Sequence, residues 1–451
     1  MTDSVDWEQI IGSGVEMLES MVKVSDHATV AEIGENLLPS ADAQLGPGHR
    51  HTMTIRAHLA AAYRARGNTT RATELWESLY AERARAHGAA SRATVEACLN
   101  LADCHRQAGR TDIAVAVLEH ALPPGDSVPE AGAVHLRGGL ASMLFYAGRF
   151  DEAIAQFERV VADGAAALPA DDRDLLAFRS NLAHAYLVTG RVTAAIGEFE
   201  HVATEFGRIP DADRSDALGA HLNLASAYHH ARRFTESAAL FRDALGHTEN
   251  DPELGPDHDL TLSLRGNLAT ALWADNRVAE AIPYLEQNAA VQERLRPDHP
   301  DTLATRHSLA TAYRTEHRFD EAIDLYEAVL ADRQRLLPAD HPDIYDTLFD
   351  LAAAHREAGN TDKAVGLFRH TLTTRTRVLG VEHPETLLTR ARLADARAET
   401  GHVRDALTTL DQTLAALQRV AGPDHVYIPQ ILGLIDHWRN ASRHTRTGSG
   451  G

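Results

Sequence analysis

A Leu-Ala motif returns along the chain at Leu59, Leu101, Leu140, Leu182, Leu224, Leu268, Leu309, Leu351 and Leu393. The successive steps are 42, 39, 42, 42, 44, 41, 42 and 42 residues. A period this steady marks a supersecondary unit that cannot bury its apolar face alone and must stack on its neighbours. A chain of 451 residues is also too long for one packed core. The repeat therefore predicts an all-α solenoid in which each unit contacts the units before and after it.

Individual copies support two helices per unit. "SLATAYRTEHRFDEAIDL" from Ser308 places Leu309, Ala310 and Tyr313 on one stripe of a first helix. A turn follows, with glycine at Gly67, Gly109, Gly148, Gly190, Gly359 and Gly401, where a left-handed residue ends a helix. The second helix buries residues such as Ala322, Tyr326 and Val329. Linkers of the type "RPDHPDTL", "PADHPDIY" and "GVEHPETL" put Pro and acidic residues at the next helix start. We expect an N-terminal helical cap over residues 1–45 (a degenerate copy with "VAEIGENLL" as its second helix), nine repeats over 46–424, a capping helix over 425–442 and a flexible tail over 443–451. The short step around "LPPGDSVPEAG" from Leu122 predicts a shortened second helix and a kink.

The Leu-Ala-x-x-Tyr spacing, the turn glycine and the buried aromatic of the second helix resemble the tetratricopeptide repeat (TPR). The 42-residue period, the "NLA" openings and the Pro-Asp-His-Pro linkers resemble its kinesin-light-chain-like subclass. This resemblance covers about Gly46 to Asp424. It implies a right-handed superhelical α-solenoid whose first helices line a concave groove, and a non-catalytic protein-interaction scaffold that binds peptides there.

Other chemistries find little support. A formal net charge of -20 argues against nucleic-acid or anionic-membrane partners, which need a basic face. No phosphate-loop, Gly-x-Ser-x-Gly or His-Glu-x-x-His motif occurs. No cofactor is expected. The 26 histidines raise the question of metal, but His49, His258, His299, His341, His383 and His425 share one linker position. They would lie about one repeat apart, roughly 10 Å, too far to share an ion. His184, His221, His229 and His230 are closer but lack an acidic or Cys partner at ligand spacing, so no metal site is expected. The N-terminus "MTDSVDWEQIIGSGVEML" shows no signal peptide, and no run is apolar enough for a membrane helix. Cys98 and Cys104 are expected as buried, reduced thiols. Together these point to a cytoplasmic protein.

The groove expectations come from positions counted from the motif Leu. Just before it stand Asn100, Asn181, Asn223 and Asn267. In the family this position carries an Asn ladder facing bound peptide, and an exposed Asn offers the donor and acceptor that an extended backbone needs. The second Asn of the family's "NNLA" is missing from every copy. A competing reading has these Asn residues bonding neighbouring helices. Five residues after the Leu the sequence reads Arg64, Arg106, Phe145, Leu187, His229, Trp273, Arg314, Arg356 and Ala398, an apolar centre between arginines. Tyr146, Val188 and His230 follow one position on, and His184 lies nearby. Either these side chains anchor a partner or the central copies pack them against each other. The expected partner is a protein or peptide segment with an apolar or aromatic centre and acidic flanks. A regulatory receptor for a small peptide or metabolite is the alternative, and an enzyme built on the solenoid a remote one. The open ends of the array also permit a homodimer.

Overall fold

The computed structural model describes residues 6–122, 131–209 and 214–447, and every regular element among them is an α-helix. The chain divides into two compact units at Arg232–Arg233. Unit 1 contains α1 (Trp7–Lys23), α2 (His27–Gln44), α3 (Arg50–Ala65), α4 (Thr69–His87), α5 (Arg92–Gln107) and α6 (Thr111–Ala121). It continues with α7 (Ala131–Tyr146), α8 (Phe150–Ala167), α9 (Arg173–Val188), α10 (Val192–Arg208) and α11 (Arg214–His230). Unit 2 contains α12 (Phe234–Glu249), α13 (Asp259–Ala274), α14 (Val278–Leu295), α15 (Pro300–Thr315) and α16 (Phe319–Leu336). It ends with α17 (Pro342–Glu357), α18 (Thr361–Leu379), α19 (Pro384–Glu399), α20 (Val403–Ala421) and α21 (Ile428–Thr447). Within each unit every helix packs on the next, the contact pattern of a repeat solenoid.

The two-helix reading of the repeat holds. Motif leucines such as Leu59, Leu182 and Leu309 are buried, and Ala322, Tyr326 and Val329 are fully enclosed. The expected short second helix is α6, with 11 residues; the expected kink lies outside the described residues. The helix expected over 425–442 is α21, which reaches Thr447. Cys98 and Cys104 are free and buried, and burial pushes both thiols up to about 11.

The linker histidines are helix caps. His49, His258, His299, His341 and His383 are the N-cap residues of α3, α13, α15, α17 and α19, and the ring Nδ1 of each accepts the backbone N–H two residues on, at 3.1–3.3 Å. His425 does the same for Tyr427. Each bond satisfies one amide left open at a helix start. The acid before each histidine has another task in unit 2. Asp257, Asp298, Asp340 and Glu382 pair with Arg294, Arg335, Arg377 and Arg419 at the end of the following second helix, each 37 residues on.

The turns divide by residue type. Gly359 has φ 82°, as a glycine turn should, but the matching residues in three consecutive copies are Arg232, Asn276 and His317, each at φ 59°. A side chain in this left-handed region costs on the order of 1–2 kcal/mol, partly offset by the greater chain entropy of Gly. His317→Gly is therefore expected to raise the free energy of unfolding by about 0.5–1 kcal/mol, read as a higher urea midpoint. An unchanged or lower midpoint would count against strain at this turn.

Candidate functional site

In unit 1 the first helices α5, α7, α9 and α11 lie side by side. They carry Asn100 and Arg106, Phe145 and Tyr146, Asn181, His184 and Leu187, and Asn223, His229 and His230 respectively. Asn267 and Trp273 (α13), Arg314 (α15) and Arg356 (α17) belong to unit 2.

The candidate residues differ in how much they offer a partner. Asn100 uses both ends of its amide: Oδ1 accepts from Arg64 at 2.9 Å and Nδ2 donates to the Glu96 carbonyl at 2.9 Å. Asn181 and Asn267 are exposed and Asn223 is half-buried. Phe145 packs on the unit-1 core and lies edge-on to Phe150 at 5.4 Å. Leu187 and Trp273 are half-buried. The exposed apolar side chains lie one position further on: Tyr146 is 60% and Val188 56% exposed. On α9 and α11, His184 and His230 are exposed, with Nδ1 tied to the carbonyl four residues back at 2.8 Å.

The arginines that flank this set are matched by the chain's own groups. Arg314 pairs with Glu357 of the next repeat at 3.0 Å, and Arg356 with Glu399 at 3.3 Å and with buried Asp395. In unit 1, Asp103 takes both Arg64 at 3.2 Å and Arg106 at 2.6 Å. Arg106 also lies over the Tyr146 ring, 4.7 Å from its centroid. One geometry thus recurs with different chemistry. The residue five after a motif Leu meets the residue six after the next one, as an ion pair in unit 2 and as a cation–π contact in unit 1. These arginines therefore present less free positive charge than the sequence pattern suggests.

A second pair recurs at the residue four after the motif Leu, a position whose apolar stripe alone predicts core. Tyr63, Tyr186, Tyr228 and Tyr313 donate from Oη to Glu35, Glu158, Glu200 and Glu286 on the preceding second helix, at 2.7–3.0 Å. Burial, reinforced by these carboxylates, pushes the Tyr186 and Tyr313 hydroxyls up to about 12. The near-constant offset of about 28 residues between Glu and Tyr was the available signal. His105 and His355 hold the same position, with Nε2 3.9 Å from Glu77 and Glu327.

Burial outweighs those carboxylates and lowers both histidine pKa values, with Arg110 and Lys363 adding to the effect. The neutral ring is therefore favoured in the folded chain. A depressed histidine contributes stability that is present above its unfolded value of about 6.5 and is lost as pH falls through the folded value. The melting temperature should fall below about pH 6.5, and less steeply in His105→Tyr/His355→Tyr, which installs the tyrosine used by other copies. An equal slope in both proteins would remove these two rings as its source.

Among the described residues one group brings three possible metal ligands together, and it is not the histidine set considered from sequence. It consists of His135, Asp172 and Asp174. No described helix is long and apolar enough to cross a membrane.

Models of the tetratricopeptide repeat match residues 97–130, 139–213, 216–287, 260–335, 307–374 and 343–419. Among solved structures, the chain is similar to a putative kinesin light chain from Podosopora anserina with nearly identical TPR-like repeats, at 29% identity over 46% of this chain and 97% of that one, TM-score 0.41. It is similar to BtubC (BKLC) from P. vanneervenii at 21% identity over 52% and 94% of the two chains, TM-score 0.42. The apo quorum sensor NprR from B. thuringiensis is similar at 14% identity over 74% and 90%, TM-score 0.46. No curated protein matches the chain.

Proposed function

Because the chain belongs to the tetratricopeptide repeat family, we propose that it is a non-catalytic interaction scaffold holding a peptide or flexible protein segment against the first helices of unit 1. The observation that carries this reading is the exposure of Tyr146 and Val188 at matching positions on the adjacent helices α7 and α9. Exposed apolar side chains at equivalent points of successive repeats form a row that a partner can cover. Asn181, His184 and His230 lie exposed on α9 and α11. Their amide and ring nitrogens supply the polar groups that fix an extended backbone.

The partner chemistry is narrower than the sequence pattern suggested. An apolar or aromatic residue on the partner fits Tyr146 and Val188. Acidic flanks are not carried into this reading, because Arg64, Arg106, Arg314 and Arg356 already face Asp103, Glu357, Asp395 and Glu399. Asn267 and Trp273 lie in unit 2 and are not part of this face.

The test uses a partner segment recovered from the native host, resynthesised as a labelled peptide and titrated by fluorescence polarisation. Tyr146→Ala/Val188→Asp should weaken binding about 30-fold or more, as loss of an anchor worth about 2 kcal/mol requires. Far-UV circular dichroism should be unchanged. Unaltered affinity in the folded variant would contradict the assignment of the face.

A further inference from the structure

We propose that His135, Asp172 and Asp174 form a three-ligand site for a divalent transition-metal ion, with Zn2+ the best-fitting ion, linking α7 to α9. One ligand atom from each residue lies within 4.8 Å of the other two. The site lies toward the N-terminal ends of α7 and α9, while Tyr146 and Val188 end those helices, and it does not rest on the peptide-binding reading.

The arrangement around His135 is what points to a cation. Its Nδ1 lies 2.6 Å from the Ala131 carbonyl, which can only accept, so the ring N–H belongs there. Nε2 of a neutral ring then offers a lone pair as a ligand, and it lies 2.9 Å from Asp174 Oδ2. A cation bound at this point would satisfy both groups at once. A backbone carbonyl on the far ring nitrogen is also how metal-binding histidines are usually oriented. Asp172 caps α9, its Oδ1 accepting from the Leu175 N–H at 3.0 Å, and keeps its second oxygen for an ion. The neighbouring cation, Arg173, sits 3.3 Å from Asp216.

An imidazole nitrogen among the ligands disfavours Ca2+ and Mg2+, which take oxygen, and suits Zn2+, bound by His and carboxylates with a position left for water. The N-terminus of α9 opposes a cation with about half an elementary charge. The two carboxylates outweigh it. A second proton on His135 would also satisfy the Asp174 contact; such an ion pair predicts no stoichiometric metal binding, and this is the alternative that the experiment separates.

The experiment titrates Zn2+ into the full chain by calorimetry and follows the melting temperature. One equivalent should bind with a dissociation constant of about 10 μM or tighter, and saturating Zn2+ should raise the melting temperature by mass action. Asp172→Asn keeps a good helix cap and Asp174→Asn leaves the cap untouched. Each should weaken that equivalent by about tenfold or more, and His135→Ala should abolish it. His184→Ala and His230→Ala should leave it intact. Absence of a stoichiometric site, or a site of unchanged affinity in the folded His135→Ala and Asp174→Asn variants, would overturn the proposal.

Discussion

Asp395→Ala is expected to lower the free energy of unfolding by about 3–5 kcal/mol, the range for breaking a buried ion pair by removing one partner. The carboxylate is 2% exposed and joins three helices. It takes Arg356 from α17, sits on α19, and accepts from Trp438 Nε1 of α21 at 2.8 Å. Its loss leaves the guanidinium with Glu399 alone, at 3.3 Å, and leaves the indole N–H without its acceptor. Nearest-neighbour contacts confine much of the damage to the C-terminal end. Amide exchange in α21 should therefore accelerate more than exchange in α13. Asp395→Asn keeps an oxygen for the indole and should cost less. An Asp395→Ala protein with an unchanged urea midpoint would show that the pair contributes nothing net.

Tyr326→Ala should cost a similar amount, about 3–5 kcal/mol, for a different reason. The ring is wholly enclosed beneath α15, edge-on to His307 at 5.2 Å, and its hydroxyl bonds Thr311 at 2.7 Å. Truncation leaves a ring-sized cavity between helices that cannot close without moving α15 against α16. Tyr326→Phe removes only the hydroxyl, and Thr311 keeps its bond to the His307 carbonyl at 3.0 Å. That change should cost about 1 kcal/mol. Chemical denaturation of the two variants separates packing from hydrogen bonding. Equal losses in both would mean that the hydroxyl, not the ring, carries the effect.

Much of this architecture was legible because a solenoid repeats its constraints. The apolar spacing that nominates Ala322, Tyr326 and Val329 reads the same in each copy, and all three residues are fully buried. Glycine marks the turns for a reason visible in one residue, its freedom at positive φ. What escaped were contacts between copies. Nothing near Tyr313 announces Glu286, and nothing near Arg314 announces Glu357; each pair becomes visible only when positions in successive copies are compared. The linker acids illustrate the same limit. Asp298 looks like a helix-start residue, yet its carboxylate lies on Arg335 at 2.6 Å.

The candidate face was only partly legible for the same reason. Counting from the motif Leu names Phe145, which packs into the core, together with the next positions along, where Tyr146 and Val188 stand out. A rotation of about 100° per residue along a helix separates a core position from a solvent position. The charge of the arginines next to them is engaged by groups one repeat on.

The proposed partner segment lies across α7 and α9 on the side of Tyr146. The most direct measurement places a photo-reactive phenylalanine derivative at Tyr146 and, separately, at the exposed Ala155 of α8. Each protein is then irradiated with the labelled partner peptide and the adduct mapped by mass spectrometry. An adduct is expected from position 146, displaced by excess unlabelled peptide, and none from position 155. Adduct formation at 155 alone, or equally at both, would contradict it.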